Sequence, residues 1–314
     1  MRKAMLAGAV VATAAGMWFL PAMAVAAESV ERTLVVDGLE RTYRVYVPKD
    51  VTDLVPVVFV FHGGRGVSAQ LERYTRFSEL AETEKFIAAY PQGIDRGWND
   101  GRNAESIPAQ RKNIEDVKFV RTVLDDIAKS HTVDRSRVFA TGISNGGIFC
   151  HRLAADASDM FAAIAPVVGG IAEPLAKDFK PKHPVSLLVI QGEADPLVPI
   201  NGGIVGAALL MNRGSVIATK ETVEKYLKLN GVTGEPTTST LDDVSKDDGT
   251  TTQVTKYPSG PQGFRVEVYL IKNGGHYWPG RPAVFGERLA GKAPQDFDAT
   301  RVIWQFFKTC PPRK

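Results

Sequence analysis

A chain of 314 residues, 44% hydrophobic and 23% charged, without low-complexity runs or internal repeats, is long enough to bury one large core and too evenly mixed to be fibrous or disordered. Its formal net charge is +3, falling to +1 if Arg2 and Lys3 are removed with a leader. That excludes a long-range basic field able to recruit nucleic acid or anionic lipid.

In chain order, Arg2 and Lys3 make a basic start, Leu6 to Leu20 is almost wholly apolar, and small residues follow, with Ala24, Ala26 and Ala27 as cleavage positions. This pattern predicts a signal peptide over 1–27, export to the extracellular or periplasmic space, and no stable membrane anchor after leader removal. Residues 28–314 are then expected to form a single catalytic domain. Thr33 to Asp37 and Arg41 to Val47 alternate around Gly38 and predict an antiparallel hairpin. Short, nearly continuous apolar runs come next: Val57 to Phe61, Phe86 to Tyr90, Arg137 to Thr141, Phe161 to Val168, Val185 to Ile190 and Val266 to Ile271. Helical patterns lie among them at Leu71 to Ala81, Ile114 to Ile127, Ser215 to Leu229 and Thr300 to Phe307. Strands buried on both faces and separated by helices predict an α/β fold with a mostly parallel central sheet, helices on both faces, and an N-terminal antiparallel hairpin. The polar stretch Gly231 to Gly263 is expected to be a surface excursion with one short edge strand near Thr251 to Tyr257. Its acidic pairs Asp242-Asp243 and Asp247-Asp248 read as a solvated loop rather than a cation site.

The chemistry is carried by Gly142-Ile143-Ser144-Asn145-Gly146-Gly147, which follows the fifth β-prone run and opens a helix-compatible segment. Gly-x-Ser-x-Gly at a strand-to-helix turn is the pattern of a nucleophile elbow, which thrusts the serine hydroxyl out of the sheet. An unassisted hydroxyl is a poor nucleophile, so Ser144 needs a base. In this fold the chain order is serine, acid, histidine. His62 and His131 come too early, His151 lies two turns down the elbow helix, and His183 precedes the acid, which leaves His276 after the last apolar run. Asp195, directly after the run Val185 to Ile190, is the expected acid; Glu193 is its near competitor and Asp298 a remote one. For the oxyanion the candidates are the amide of Asn145 and the loop His62-Gly63-Gly64-Arg65. Neither a P-loop nor a dinucleotide fingerprint occurs.

His62-Gly63-Gly64, Tyr90-Pro91-Gln92-Gly93, Trp98-Asn99-Asp100-Gly101, the elbow, Gly192-Glu193-Ala194-Asp195-Pro196-Leu197-Val198-Pro199 and Gly275-His276-Tyr277-Trp278-Pro279-Gly280 occur in that order. Together they resemble the secreted polyhydroxybutyrate depolymerase / feruloyl esterase family of α/β-hydrolases, over nearly the whole chain after the leader. The resemblance implies carboxylic ester hydrolysis with Ser144 as nucleophile, Asp195 as acid and His276 as base. It also implies that Trp98 and Trp278, and with them Tyr277, line the substrate cleft, the other reading of the tryptophans being core residues. Arg65 stands where a further small residue often follows His-Gly-Gly, so either Gly64 or Arg65 could supply the first oxyanion amide. The separate polymer-binding module of some depolymerases is not expected. Cys150, at the far end of the elbow helix, and Cys310, beyond the last helix, are a candidate disulfide, two free buried thiols being the alternative.

These readings converge on an exported serine esterase acting through an acyl-enzyme on substrates such as hydroxybutyrate oligomers or feruloyl and acetyl esters, with no metal or organic cofactor. Two rivals use the same scaffold: acyl transfer to a bound alcohol, and a non-catalytic secreted binding protein. Fold alone does not separate them.

Overall fold

The computed structural model describes residues 29–51, 53–206 and 210–313, so the leader expected over 1–27 lies outside the described residues. A ten-stranded sheet organises the chain. Its strands are β1 (Val30–Val36), β2 (Leu39–Tyr46), β3 (Val55–Phe61), β4 (Ile87–Pro91), β5 (Val133–Ile143), β6 (Ala163–Val167), β7 (Ser186–Gly192), β10 (Thr237–Thr240), β11 (Thr251–Lys256) and β12 (Val266–Lys272). A separate small ribbon pairs β8 (Gly203–Ile204) with β9 (Ser215–Val216). The sheet order is β1-β2-β4-β3-β5-β6-β7-β12-β11-β10. From β4 to β12 every neighbouring pair is parallel, and an antiparallel pair closes each side. The strand carrying the elbow, β5, is therefore central, and β7 and β12, which end in the expected acid and base, are adjacent.

The helices are α1 (Ser68–Thr75), α2 (Phe77–Glu84), α3 (Pro108–Arg111), α4 (Asp116–Ala128), α5 (Asn145–Asp156), α6 (Glu173–Lys177), α7 (Thr219–Leu229), α8 (Glu287–Ala290) and α9 (Ala299–Thr309). Alternation along β3 splits the core in two. Val57, Phe59 and Phe61 join Phe119, Val123, Phe149, Leu153 and Tyr226 under α4, α5 and α7. Val58 and Val60 face Leu71, Phe77, Leu80, Trp304 and Phe307 under α1, α2 and α9.

This layering corrects the disulfide expectation. Cys150 sits on α5 in the first core and Cys310 caps α9 in the second, so the sheet stands between two free, buried thiols. Three further expectations shift. The pattern Leu71 to Ala81 is two helices, because Arg76 adopts a left-handed conformation at φ +60° and caps both. The break leaves the Thr75 carbonyl free to accept from Arg281 Nη2 (3.0 Å) and Thr300 Oγ1 (2.6 Å). The pattern Ser215 to Leu229 is helical only from Thr219, since Ser215–Val216 is held as β9. The strand near Thr251 exists as β11, but β10 covers it and forms the sheet edge.

Candidate active site

Ser144 stands at the β5–α5 junction with φ +58° and ψ −121°. For a residue with a side chain that conformation costs on the order of 1–3 kcal/mol and persists only where the surroundings enforce it. Close backbone packing enforces it here. A Cβ on Gly142 would fall 2.7 Å from the Phe61 carbonyl oxygen, one on Gly146 2.3 Å from the same oxygen, and one on Gly147 2.8 Å from the Val167 carbonyl oxygen. Glycine at these places lets α5 close onto β3 and β6. The Ser144 amide donates to the Val167 carbonyl (3.0 Å), and the Ser144 carbonyl accepts the first α5 bond from Ile148 (2.8 Å). Ser144 remains partly exposed while Asn145 and the helix behind it are buried.

The acid and histidine loops are sutured by the same device. A Cβ on Gly192 would lie 2.4 Å from the carbonyl oxygens of both Gly274 and Gly275, and one on Gly275 would lie 2.0 Å from the Ala290 carbonyl oxygen. The amides of Glu193 and Ala194 donate to the carbonyls of Ile271 (2.9 Å) and Gly274 (3.0 Å). The His276 amide in turn donates to the Ala290 carbonyl (2.6 Å). So placed, His276 Nδ1 donates to Asp195 Oδ2 at 2.7 Å, with the carboxylate fully buried. Asp195 Oδ1 accepts from the amides of Leu197 (2.8 Å) and Val198 (2.9 Å). The aspartate thus caps its turn and orients the imidazole at once, leaving Nε2 of His276 as the free ring nitrogen. The Ser144 hydroxyl makes no hydrogen bond to His276 in this state; in ligand-free hydrolases that bond is often long and tightens with substrate. Glu193 is exposed, and Asp298 is occupied in capping α9 and pairing with Arg281.

Beside Ser144 lies the loop after β3. His62 is buried, its Nε2 accepting from the Gly93 amide (3.0 Å) and its Nδ1 donating to the Gly63 carbonyl (2.8 Å). Burial pushes its pKa down to about 4, so it is neutral near pH 7 and serves to shape the loop. A Cβ on Gly63 would touch Ser144 Cβ at 3.4 Å, and one on Gly64 would lie 3.9 Å from Asn145 Cβ. Arg65, at φ +63°, spends its amide on the Arg96 carbonyl (2.7 Å). Of the two loop candidates, the Gly64 amide has no hydrogen-bond acceptor among the described residues, whereas the Arg65 amide is taken.

The aromatic expectations are corrected. Trp98 and Trp278 are fully buried: Trp98 Nε1 donates to the His62 carbonyl (2.9 Å) with the indole stacked on Phe149, and Trp278 Nε1 donates to Thr300 Oγ1 (3.0 Å). Tyr277 is also buried, and its hydroxyl donates to the Phe285 carbonyl (2.6 Å). None of the three offers a face to a cleft. Sequence reasoning missed the buried polar strap that positions the elbow. The Asn145 side chain accepts from the Trp98 amide (2.9 Å) and donates to Asp100 Oδ2 (2.5 Å). Asp100 is paired with Arg102 (2.7 Å) and accepts from Gln110 Nε2 (2.8 Å). The run Trp98-Asn99-Asp100-Gly101 was the available signal.

Sheet, elbow and acid–histidine pair define an α/β-hydrolase. The family model of the dienelactone hydrolase family matches residues 42–205, a span holding Ser144 and Asp195, and the chain belongs to that family. The relative named "Putative esterase NocK" from Nocardia uniformis subsp. tsuyamanensis is 32% identical over 273 residues, 83% of this chain and 78% of its own. Feruloyl esterase B of Piromyces equi is 25% identical over 70% of this chain and 39% of its own length. Poly(3-hydroxyalkanoate) depolymerase C of Paucimonas lemoignei is 29% identical over 40% of this chain and 30% of its own. Among solved structures, an acetyl xylan esterase from Aspergillus awamori superposes with a TM-score of 0.53 at 12% identity, covering 79% of this chain and 94% of that one, a likeness of fold.

Proposed function

We propose that this protein is an exported serine carboxylesterase that works through an acyl-enzyme on Ser144. The observation that carries the reading is the buried Asp195–His276 pair at 2.7 Å, which follows β7 and β12 at the same sheet edge where β5 turns into α5 with Ser144 in a strained, partly exposed position. His276 Nε2 takes the proton from Ser144 Oγ as that oxygen attacks the ester carbonyl, and Asp195 stabilises the imidazolium through Nδ1. The amides of Asn145 and Gly64 stabilise the developing oxyanion. His276 then returns the proton to the departing alcohol, and water resolves the acyl-enzyme by the same route in reverse. The names of the relatives direct the substrate search to hydroxyalkanoate oligomers and to feruloyl and acetyl esters. The basic, apolar and small-residue pattern of residues 1–27 supports export. A fluorophosphonate probe should label wild type stoichiometrically, fail to label folded Ser144→Ala, and block turnover of an aryl acetate. Labelling that persists in Ser144→Ala would remove Ser144 from the nucleophile role.

A further inference from the structure

The segment between Asp195 and α7 carries one arginine with no counterpart in the mechanism. Backbone bonds hold it on both sides: the Arg213 amide donates to the Val205 carbonyl (3.2 Å), and the Val205 amide donates to the Gly214 carbonyl (2.9 Å). Val205 and Val216 pack with Ile148 of α5, so the segment is anchored to the elbow helix. Gly214, at φ +73°, lies so close to Arg102 that a Cβ there would be 2.7 Å from Arg102 Cβ. Arg213 Nη1 is thereby brought to 3.5 Å from the point a Cβ on Gly64 would occupy, on the loop that also flanks Asn145 and Ser144.

The guanidinium is half-buried and, among the described residues, has no carboxylate within 4.0 Å and no hydrogen-bond acceptor. The neighbouring cations do not balance it. Arg102 is committed to Asp100, while Arg65 and Arg96, exposed on the same loop system, also lack a carboxylate partner among the described residues. Burial, together with the charges of Arg65 and Arg102, pushes the Arg213 pKa below its ordinary range. A partly desolvated cation in a cation-rich rim is stabilised by an anion, and the planar guanidinium fork matches a carboxylate in two-point geometry.

We propose that Arg213 is a specificity residue that receives a free carboxylate carried by the ester substrate, such as the acid end of a hydroxy-acid oligomer. The inference rests on the esterase reading and narrows it from esters in general to anionic ones. The test compares the linear 3-hydroxybutyrate dimer as free acid with its neutral methylamide, following cleavage of the internal ester. Wild type should favour the acid in kcat/KM by about tenfold or more, the scale of a charge-assisted bond. Arg213→Gln should bring that ratio close to one, and Arg213→Lys should keep part of it. An unchanged ratio in Arg213→Gln, or equal losses on both substrates, would overturn the assignment. Titration calorimetry with the free acid on Ser144→Ala, with and without Arg213→Gln, separates the two claims. Binding that disappears with Arg213→Gln while wild type cleaves neither dimer would sink the esterase reading and leave the arginine's role standing. Binding indifferent to Arg213→Gln would sink the arginine's role alone.

Discussion

At Ser144 the proposed nucleophile role and the demands of stability oppose each other. Its φ of +58° with ψ of −121° lies where glycine is comfortable and serine is not, and the strain is held by the close packing around Gly142, Gly146 and Gly147. Ser144→Gly should therefore abolish turnover and yet melt above Ser144→Ala, with a stability difference of about 1 kcal/mol in favour of glycine. Paired thermal melts of the two inactive variants measure it, and a Ser144→Ala protein at least as stable as Ser144→Gly would show that the elbow is unstrained. At this scale the strained turn at Ser144 and the Asp195–His276 pairing were legible because chain order and places after apolar runs are written in one dimension. The aromatic residues were not. A tryptophan beside a motif can point into the cleft or under it, and the buried partners that decide this, Phe149 and the His62 carbonyl for Trp98 and Thr300 for Trp278, are far away in sequence. Arg65 was undecidable for the same reason, since its amide is taken by Arg96, thirty-one positions on.

Individual elements were easy to recognise where burial imposes one pattern and hard where a tertiary bond overrides it. The strands β3, β4, β6 and β7 are nearly continuous apolar runs because both faces are covered, and such runs say strand without further context. The α1–α2 break, by contrast, is rewarded by bonds from Arg281 and Thr300 to the Thr75 carbonyl, and nothing in the helical pattern of Leu71 to Ala81 announces them. The β5–α5 junction is the element contact on which the site depends most. An Ala at position 146 would place its Cβ 2.3 Å from the Phe61 carbonyl oxygen and 2.7 Å from that of His62, both backbone atoms that cannot swing aside. Gly146→Ala must push α5 away from β3, moving Ser144 relative to Gly64 and His276. We expect a loss of about 1–3 kcal/mol in stability and of about a hundredfold in turnover. Gly286→Ala, whose Cβ would meet nothing within 4 Å, serves as the control and should leave the melt unchanged. Denaturant titration and ester assays on the two variants test this, and a Gly146→Ala enzyme that behaves like the control would mean the helix can slide without cost.

For the molecule as a whole, the sheet that separates Cys150 from Cys310 also buries two histidines that bear no direct chemistry. His62 shapes the loop after β3, while His151 on α5 meets the Tyr226 hydroxyl through Nδ1 (3.1 Å) and the Gly169 carbonyl through Nε2 (3.2 Å). Burial dominates both environments and pushes each pKa down to about 4 from an ordinary 6.5, so the folded protein keeps both imidazoles neutral where the unfolded chain would protonate them. Because the unfolded state binds more protons in that interval, their contribution to stability is complete above pH 6.5 and drains away as the pH falls toward 4. Below about 4 it changes no further. A shift of this size corresponds to about 3 kcal/mol for each histidine. Glu82, held below its usual range by the Tyr46 hydroxyl and the Lys49 amide, adds its own loss only at the acid end, beneath the histidine window. Urea unfolding at pH 7.5, 5.5 and 4.5 should therefore show wild type weakening steeply across those points. His151→Gln, although less stable at pH 7.5, should lose only about half as much over the same range, because one of the two deeply buried histidines is gone and His62 remains, with a smaller share from the partly buried His131, whose pKa burial also lowers. A variant that tracked the wild-type slope would show that His151 does not carry its share of the acid sensitivity, and that protonation of the elbow helix is not what opens this fold.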